Sequence, residues 1–194
     1  MAFIPVEEHL PGITGLLEYR KDTAKPIREL TQFLLRGPST LTPAERELIA
    51  TVVSSGNNCT FCTAAHTAAV NVLTDDTKLA DEVKMNYKTA SVSAKMKTLL
   101  AIADAVRISG KSVSQEMIDT AKKAGASDIE IHDTVLIAAL FCLYNRYVDG
   151  LGTALPDDPS YYNVLGERIV NHGYTRLPQG YDHLKKKSTT DGLH

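Results

Sequence analysis

No run of this 194-residue sequence alternates apolar and polar residues between hairpin turns, so nothing in it asks for a β-sheet. The apolar stretch at 135–144 is ten residues long, too short to cross a bilayer, and reads as a core helix or an oligomer interface. A formal net charge of -2 leaves no basic surface for nucleic acid or anionic membrane, and the Lys185-Lys186-Lys187 run reads as a solvated tail. Met1 to Leu10 carries Glu7 and Glu8 where a secretory signal would be basic and then apolar, so a cytoplasmic location is expected. No internal repeat, low-complexity tract or linker divides the chain. With 43% hydrophobic and 23% charged residues it reads as one globular domain over 1–184, followed by a mobile tail over 185–194.

Cysteine is also scarce, at three residues, and two of them stand together in Asn57-Asn58-Cys59-Thr60-Phe61-Cys62-Thr63-Ala64-Ala65-His66. Residues three, four and seven apart share a helix face, and Cys59, Cys62 and His66 have those spacings. A helix starting near Asn58 would take its N-cap from the Asn pair and put Cys59 in the first turn, where unpaired N–H groups favour an anion. Free cysteine has a pKa of about 8.5, and such a setting lowers it. His66, one turn beyond Cys62, is placed to accept that thiol's proton.

Three other readings of the run stay open. Cysteine is among the most buried residue types, so the pair could be ordinary core. Cys-x2-Cys-x3-His offers three zinc ligands, yet no second CxxC, CxxH or HxxxH supplies a fourth, and Cys142 lies far along the chain. A disulfide across three helical residues would be strained and labile, which is itself redox chemistry.

Apolar residues recur at spacings of three and four throughout, which predicts an all-α protein. An irregular arm over 3–15 leads to a helix over 16–35, interrupted before Pro26. Thr42-Pro43-Ala44-Glu45 is a capping box that starts a helix running to about Ser55. The dithiol helix is expected over 58–73, and later helices over 76–87, 93–108, 114–124, 127–148 and 160–170. In the dithiol helix Phe61, Ala65, Ala68 and Val72 form one apolar stripe, while Ala69, Val70 and Leu73 continue the face of the thiols. A helix apolar on both sides is buried, and its small residues admit close neighbours and a narrow, water-poor pocket.

Read as Glu47-x11-Cys59-x2-Cys62-x3-His66, the segment from Pro43 to His66 resembles the core of the AhpD-like alkylhydroperoxidases of the carboxymuconolactone decarboxylase superfamily. The Phe3-Ile4-Pro5 arm and Tyr144-Asn145-Arg146-Tyr147-Val148-Asp149-Gly150-Leu151-Gly152 resemble its peroxidase-related branch. The resemblance implies an AhpD-like helical bundle assembled as a homotrimer or homohexamer. It also implies a dithiol/disulfide cycle that reduces hydroperoxides without a cofactor or metal. An external thiol donor, a small dithiol, a lipoyl-type group or a redox protein, would recharge the pair.

In that scheme Cys62 attacks the peroxide, Cys59 is the more accessible resolving thiol, and Glu47 orients His66. Helix position alone favours Cys59 as the low-pKa thiol, whereas Cys62 has the better-placed base. Glu47 lies opposite the stripe of Leu48, Ile49, Val52 and Val53, which by pattern makes it exposed. Its own face is small, with Pro43, Ala50, Thr51 and Ser54, so a packed helix could bury it against His66. The resemblance departs at Phe61, where AhpD proteins carry a relay histidine between the cysteines. Members of the decarboxylase branch lack the cysteine pair, which counts against lactone decarboxylation. The reading from a different class is a thiol redox switch or a zinc-clipped structural protein.

Overall fold

A computed structural model describes residues 2–181 of the chain, and the expected tail at 185–194 and domain end at 184 lie outside them. Among the described residues there are helices and no strands: α1 (Ile13–Tyr19), α2 (Lys21–Arg36), α3 (Pro43–Gly56), α4 (Thr60–Thr74), α5 (Leu79–Asn86), α6 (Ala94–Ile108), α7 (Gln115–Lys123), α8 (Asp128–Gly150) and α9 (Tyr161–His172). A single 3₁₀ turn at Gly110–Ser112 lies between α6 and α7. Among the described residues, no helix is long and apolar enough to cross a membrane.

Helix starts follow the capping chemistry. Thr42 accepts from the Glu45 amide while the Glu45 carboxylate accepts from the Thr42 amide, and Ser127 with Glu130 repeats the box at α8. Ser93 and Ser114 cap α6 and α7. The expected single helix over 16–35 is instead two, and the break falls at Arg20 rather than before Pro26. Pro26 sits in the second turn of α2, where its missing N–H removes one intrahelical bond near an end and the helix tolerates it.

The main core lies among α3, α6 and α8, with Leu48, Ile49, Val53, Leu99, Ile102, Ile137 and Phe141 almost wholly buried. Transfer of such side chains from water is worth roughly 1.5–3 kcal/mol each, so this layer holds α3 firmly against α8. A second, smaller cluster of Cys59, Phe61, Cys62, Ala65, Ala69, Val148, Leu165 and Ile169 joins α4 to α9 and the end of α8. The expected close approach occurs here: a Cβ on Gly166 of α9 would stand 2.8 Å from the Ala68 backbone of α4. Val72, expected within the buried stripe, is exposed, because burial of α4 is concentrated in its first three turns.

Candidate active site

Helices α3 and α4 pack along each other and are joined by Asn57, Asn58 and Cys59 alone. To turn that tightly the backbone passes through the left-handed region at Asn58, φ 59°, which asparagine tolerates better than most residues. An N-cap needs extended backbone, so the cap falls one residue later than expected. Cys59 is the N-cap (φ -79°, ψ 98°), with no conventional side-chain cap bond, and Cys62 occupies the third helical position.

Both thiols are free and buried. The greater accessibility expected of Cys59 is not seen, since both are buried, Cys59 at 0% and Cys62 at 4% exposure. Cys59 lies in the small cluster that includes Val148 of α8, and Cys62 lines a cavity. The Cys62 thiol, acting as hydrogen-bond donor, holds Cys59 below the ordinary thiol range, helped by the Cys62 amide and opposed by burial and Asp149. Cys62 is pushed well up, first by that same bond to Cys59 and then by burial, with Asn145 pulling the other way. The pair therefore acts as one acid with a proton shared between two sulfurs, resting on Cys62.

Glu47, exposed on helix pattern alone, is fully buried because α4 packs on its small-residue face. Its Oε2 lies 2.6 Å from His66 Nδ1, and its Oε1 accepts from Arg36 Nη2 at 2.6 Å and from the Tyr174 hydroxyl at 2.5 Å. Burial works to raise the Glu47 pKa, but His66, Arg36 and Tyr174 together outweigh it and hold the carboxylate below its ordinary range. An ionised carboxylate only accepts, so Nδ1 carries a proton and Nε2 is the nitrogen left for chemistry. Tyr174 is pushed well above its ordinary value by burial and then by the Glu47 charge, and stays a donor.

Cys62 and His66 line one cavity of about 70 Å³, walled by apolar groups including Leu17, Ile27, Leu165 and Ile169. That is room for a few water-sized groups, at roughly 10–15 Å³ each. Among the described residues no hydrogen bond joins His66 to either thiol, so the direct contact expected between His66 and Cys62 is absent and the two share only the walls of this cavity. Phe61 lies at the cavity edge, 5.8 Å from Tyr162 and 6.5 Å from Tyr161 between ring centroids, with Gly12 beneath its ring. Among the described residues there is no group of three or more His, Cys, Asp or Glu side chains placed to hold a metal, and His66 Nδ1 is already taken by Glu47.

Of the four expected residues, the structure brings Glu47 to His66 and Cys59 to Cys62. Three further groups join them, beyond the four expected residues. Arg36, by charge, and Tyr174, as a neutral donor, stabilise the Glu47 carboxylate from 11 and 127 residues away in sequence. Asn145, buried on α8, donates to Ser54 Oγ at 3.1 Å and accepts from Asn57 at 2.9 Å, which fixes its amide beside Cys62. Helical spacing carries no signal for the first two. Asn145 has one, being a polar residue within an apolar helix.

The fold and site define a helical dithiol protein in which a carboxylate-held imidazole shares a cavity with one sulfur of a CxxC pair. A profile of the carboxymuconolactone decarboxylase family matches residues 21–78. Among solved structures, an uncharacterized peroxidase-related protein from Silicibacter sp. TM1040 superposes with a TM-score of 0.72 at 26% identity, over 79% of this chain and 78% of that one. A second uncharacterized peroxidase-related protein with an alkylhydroperoxidase AhpD core, from Ralstonia eutropha JMP134, gives 0.75 at 23% identity over 85% and 96%. A protein of unknown function from Agrobacterium tumefaciens gives 0.66 at 19% identity over 74% and 97%. No curated protein matches the chain. The fold is AhpD-like, and the likeness to the carboxymuconolactone decarboxylase family falls on residues 21–78, the segment that carries Glu47, Cys59, Cys62 and His66.

Proposed function

We propose that the protein reduces hydroperoxides through a Cys59/Cys62 dithiol cycle and is recharged by an external thiol donor. The observation that carries this reading is the shared cavity of Cys62 and His66, with His66 fixed on the other side by Glu47. The resting electrostatics place the proton on Cys62, so the cycle begins when that proton moves to Cys59 against this preference and leaves a thiolate at Cys62 beside the Asn145 amide. That thiolate attacks the distal oxygen of ROOH, the O–O bond breaks, and the alkoxide takes a proton passed through His66 to leave as ROH. Cys62 is then a sulfenic acid. The Cys59 sulfur displaces its hydroxyl, which leaves as water, and the Cys59–Cys62 disulfide closes. Exchange with two thiol equivalents of the donor restores the pair.

Phe61 cannot relay a proton, and the Glu47–His66–Tyr174 set, with cavity water, supports a shorter relay that does without it. We assign assembly as a homotrimer or homohexamer, a reading supported by Leu30 and Phe33, which stay exposed three residues apart on α2; sedimentation of the purified chain tests it, and a monomer refutes it. Peroxide consumption with dithiothreitol as donor, in wild type and in Cys59→Ser and Cys62→Ser, tests the activity. Turnover lost in both variants is expected, and undiminished turnover in either refutes the cycle.

A further inference from the structure

Two arginines that the proposed cycle does not use line the cavity, and one of them, Arg28, is paired with Glu18. The other, Arg168, on α9, lines the cavity together with Cys62 and His66, and its Nη1 is buried without a hydrogen-bond partner. The nearby acids are engaged by other cations. Glu18 takes Arg28 at 3.1 Å and Arg176 at 2.8 Å, and Glu47 takes Arg36 and His66. Among the described residues no carboxylate lies within ion-pair distance of Arg168; its guanidinium stands 5.8 Å over the Tyr181 ring, whose hydroxyl accepts from Arg28.

A buried guanidinium donor left unpaired is costly, and native structures rarely keep one without a reason. The orphaned N–H belongs to a side chain that lines the same cavity as the reacting sulfur, in a wall that is mostly apolar but also carries Thr14, Thr31 and Tyr144. That arrangement fits a ligand with an acid at one end, a short alkyl body and a group that reacts with sulfur at the other.

We propose that Arg168 is the anchor for a small carboxylate, and that the carboxylate belongs to the peroxide: the substrate class is short alkyl hydroperoxides bearing a carboxylic acid. This rests on the hydroperoxidase reading above. A carboxylate could instead reach the cavity on the reducing thiol, since both half-reactions occur at the same sulfurs. The peroxide is favoured because Cys62, the thiol that lines the same cavity as Arg168, is also the one assigned to meet it. Arg168 supplies charge-assisted hydrogen bonds to the acid, and the apolar wall accepts the chain between.

Matched pairs test it. For 4-hydroperoxy-4-methylpentanoate against its methyl ester, wild type should favour the acid at least tenfold in kcat/KM, and Arg168→Gln should bring the ratio to near one. Dihydrolipoate against dihydrolipoamide as donors should show no comparable preference. The peroxide-free 4-methylpentanoate, titrated calorimetrically, should bind wild type and not Arg168→Gln, with Arg168→Lys in between. If Arg168→Gln fails to fold, the wild-type ratio, the calorimetry and Arg168→Lys still decide. An acid/ester ratio near one in an active wild type overturns the proposal, as does a preference that appears only between the donors. Arg168-dependent binding of 4-methylpentanoate by a protein that turns over no peroxide would keep the anion site while removing both the hydroperoxidase reading and the peroxide as its ligand. Equal binding by wild type and Arg168→Gln overturns the anchor itself.

Discussion

Replacing Glu47 by glutamine removes one charge and almost no volume, and so isolates the carboxylate that the site is built around. Glu47 makes three short contacts, to His66 and Arg36 at 2.6 Å and to Tyr174 at 2.5 Å. A hydrogen bond to a charged group contributes about 1.5–3 kcal/mol and a neutral one about 0.5–1.5, so each contact weakens by about 1 kcal/mol. The sum, about 3 kcal/mol, sits at the low end of the roughly 3–5 kcal/mol lost when a buried ion pair loses one partner. At about 2–4 °C per kcal/mol for a chain of this size, the melting temperature should fall by about 6–12 °C at pH 7. The pH dependence follows from the depressed Glu47 pKa. A carboxyl whose folded pKa lies below its unfolded value of 4.5 contributes fully above that value and loses the contribution as pH falls through the folded one. The gap between wild type and Glu47→Gln should therefore be constant near neutrality and shrink below pH 4.5. Glutamine would also present an amide N–H to His66 Nδ1, driving the imidazole proton to Nε2 and removing the base from the cavity. Circular dichroism melts at matched protein concentration, with nitrogen-15 spectra of His66, read both effects. A variant within about 0.5 kcal/mol of wild type at pH 7, or a gap that widens in acid, refutes the reasoning.

The shared proton of the thiol pair predicts opposite responses to alanine. Cys62→Ala removes the donor that most lowers Cys59, so the thiolate absorbance of Cys59 should move to higher pH. Cys59→Ala removes what most raises Cys62, whose titration should move to lower pH; shifts of the same sign in both variants would contradict a shared proton. Gly166→Ala puts a Cβ 2.8 Å from the Ala68 backbone, so α9 must move away from the dithiol helix. The expected cost is about 1–3 kcal/mol in urea unfolding, and a neutral result would mean that the α4–α9 contact yields without strain.

Much of the helix map is legible in local chemistry. Thr42-Pro43-Ala44-Glu45 and Ser127-Asp128-Ile129-Glu130 carry their own start signals, and those helices begin where the signals fall. The dithiol helix shows the limit of that logic. Asn58 is a good capping residue in isolation, but the tight α3–α4 turn needs it in the left-handed region, which hands the cap to Cys59. The break at Arg20 has no local marker comparable to Pro26, the residue that attracts attention and turns out to be harmless.

Glu47 is ambiguous in sequence for a related reason: a helical wheel says which side is apolar, whereas burial on a small-residue face depends on which helix arrives there. Arg36 and Tyr174 are invisible to such patterns, because they reach Glu47 through tertiary packing and follow no sequence period. The orphaned Arg168 belongs with them. An arginine on an amphipathic helix looks solvated until its Nη1 is seen to be enclosed.

The central claim is that Cys59 and Cys62 together remove one peroxide per cycle. Fully reduced protein should be mixed with one equivalent of tert-butyl hydroperoxide per chain without donor, and the products followed by alcohol release, thiol titration and peptide mapping. The account predicts one alcohol per chain, loss of both Cys59 and Cys62 thiols with Cys142 retained, and a Cys59–Cys62 disulfide; in Cys59→Ser the reaction should stop at a sulfenic acid on Cys62. Intact thiols after prolonged exposure, or oxidation without a disulfide between this pair, would contradict it.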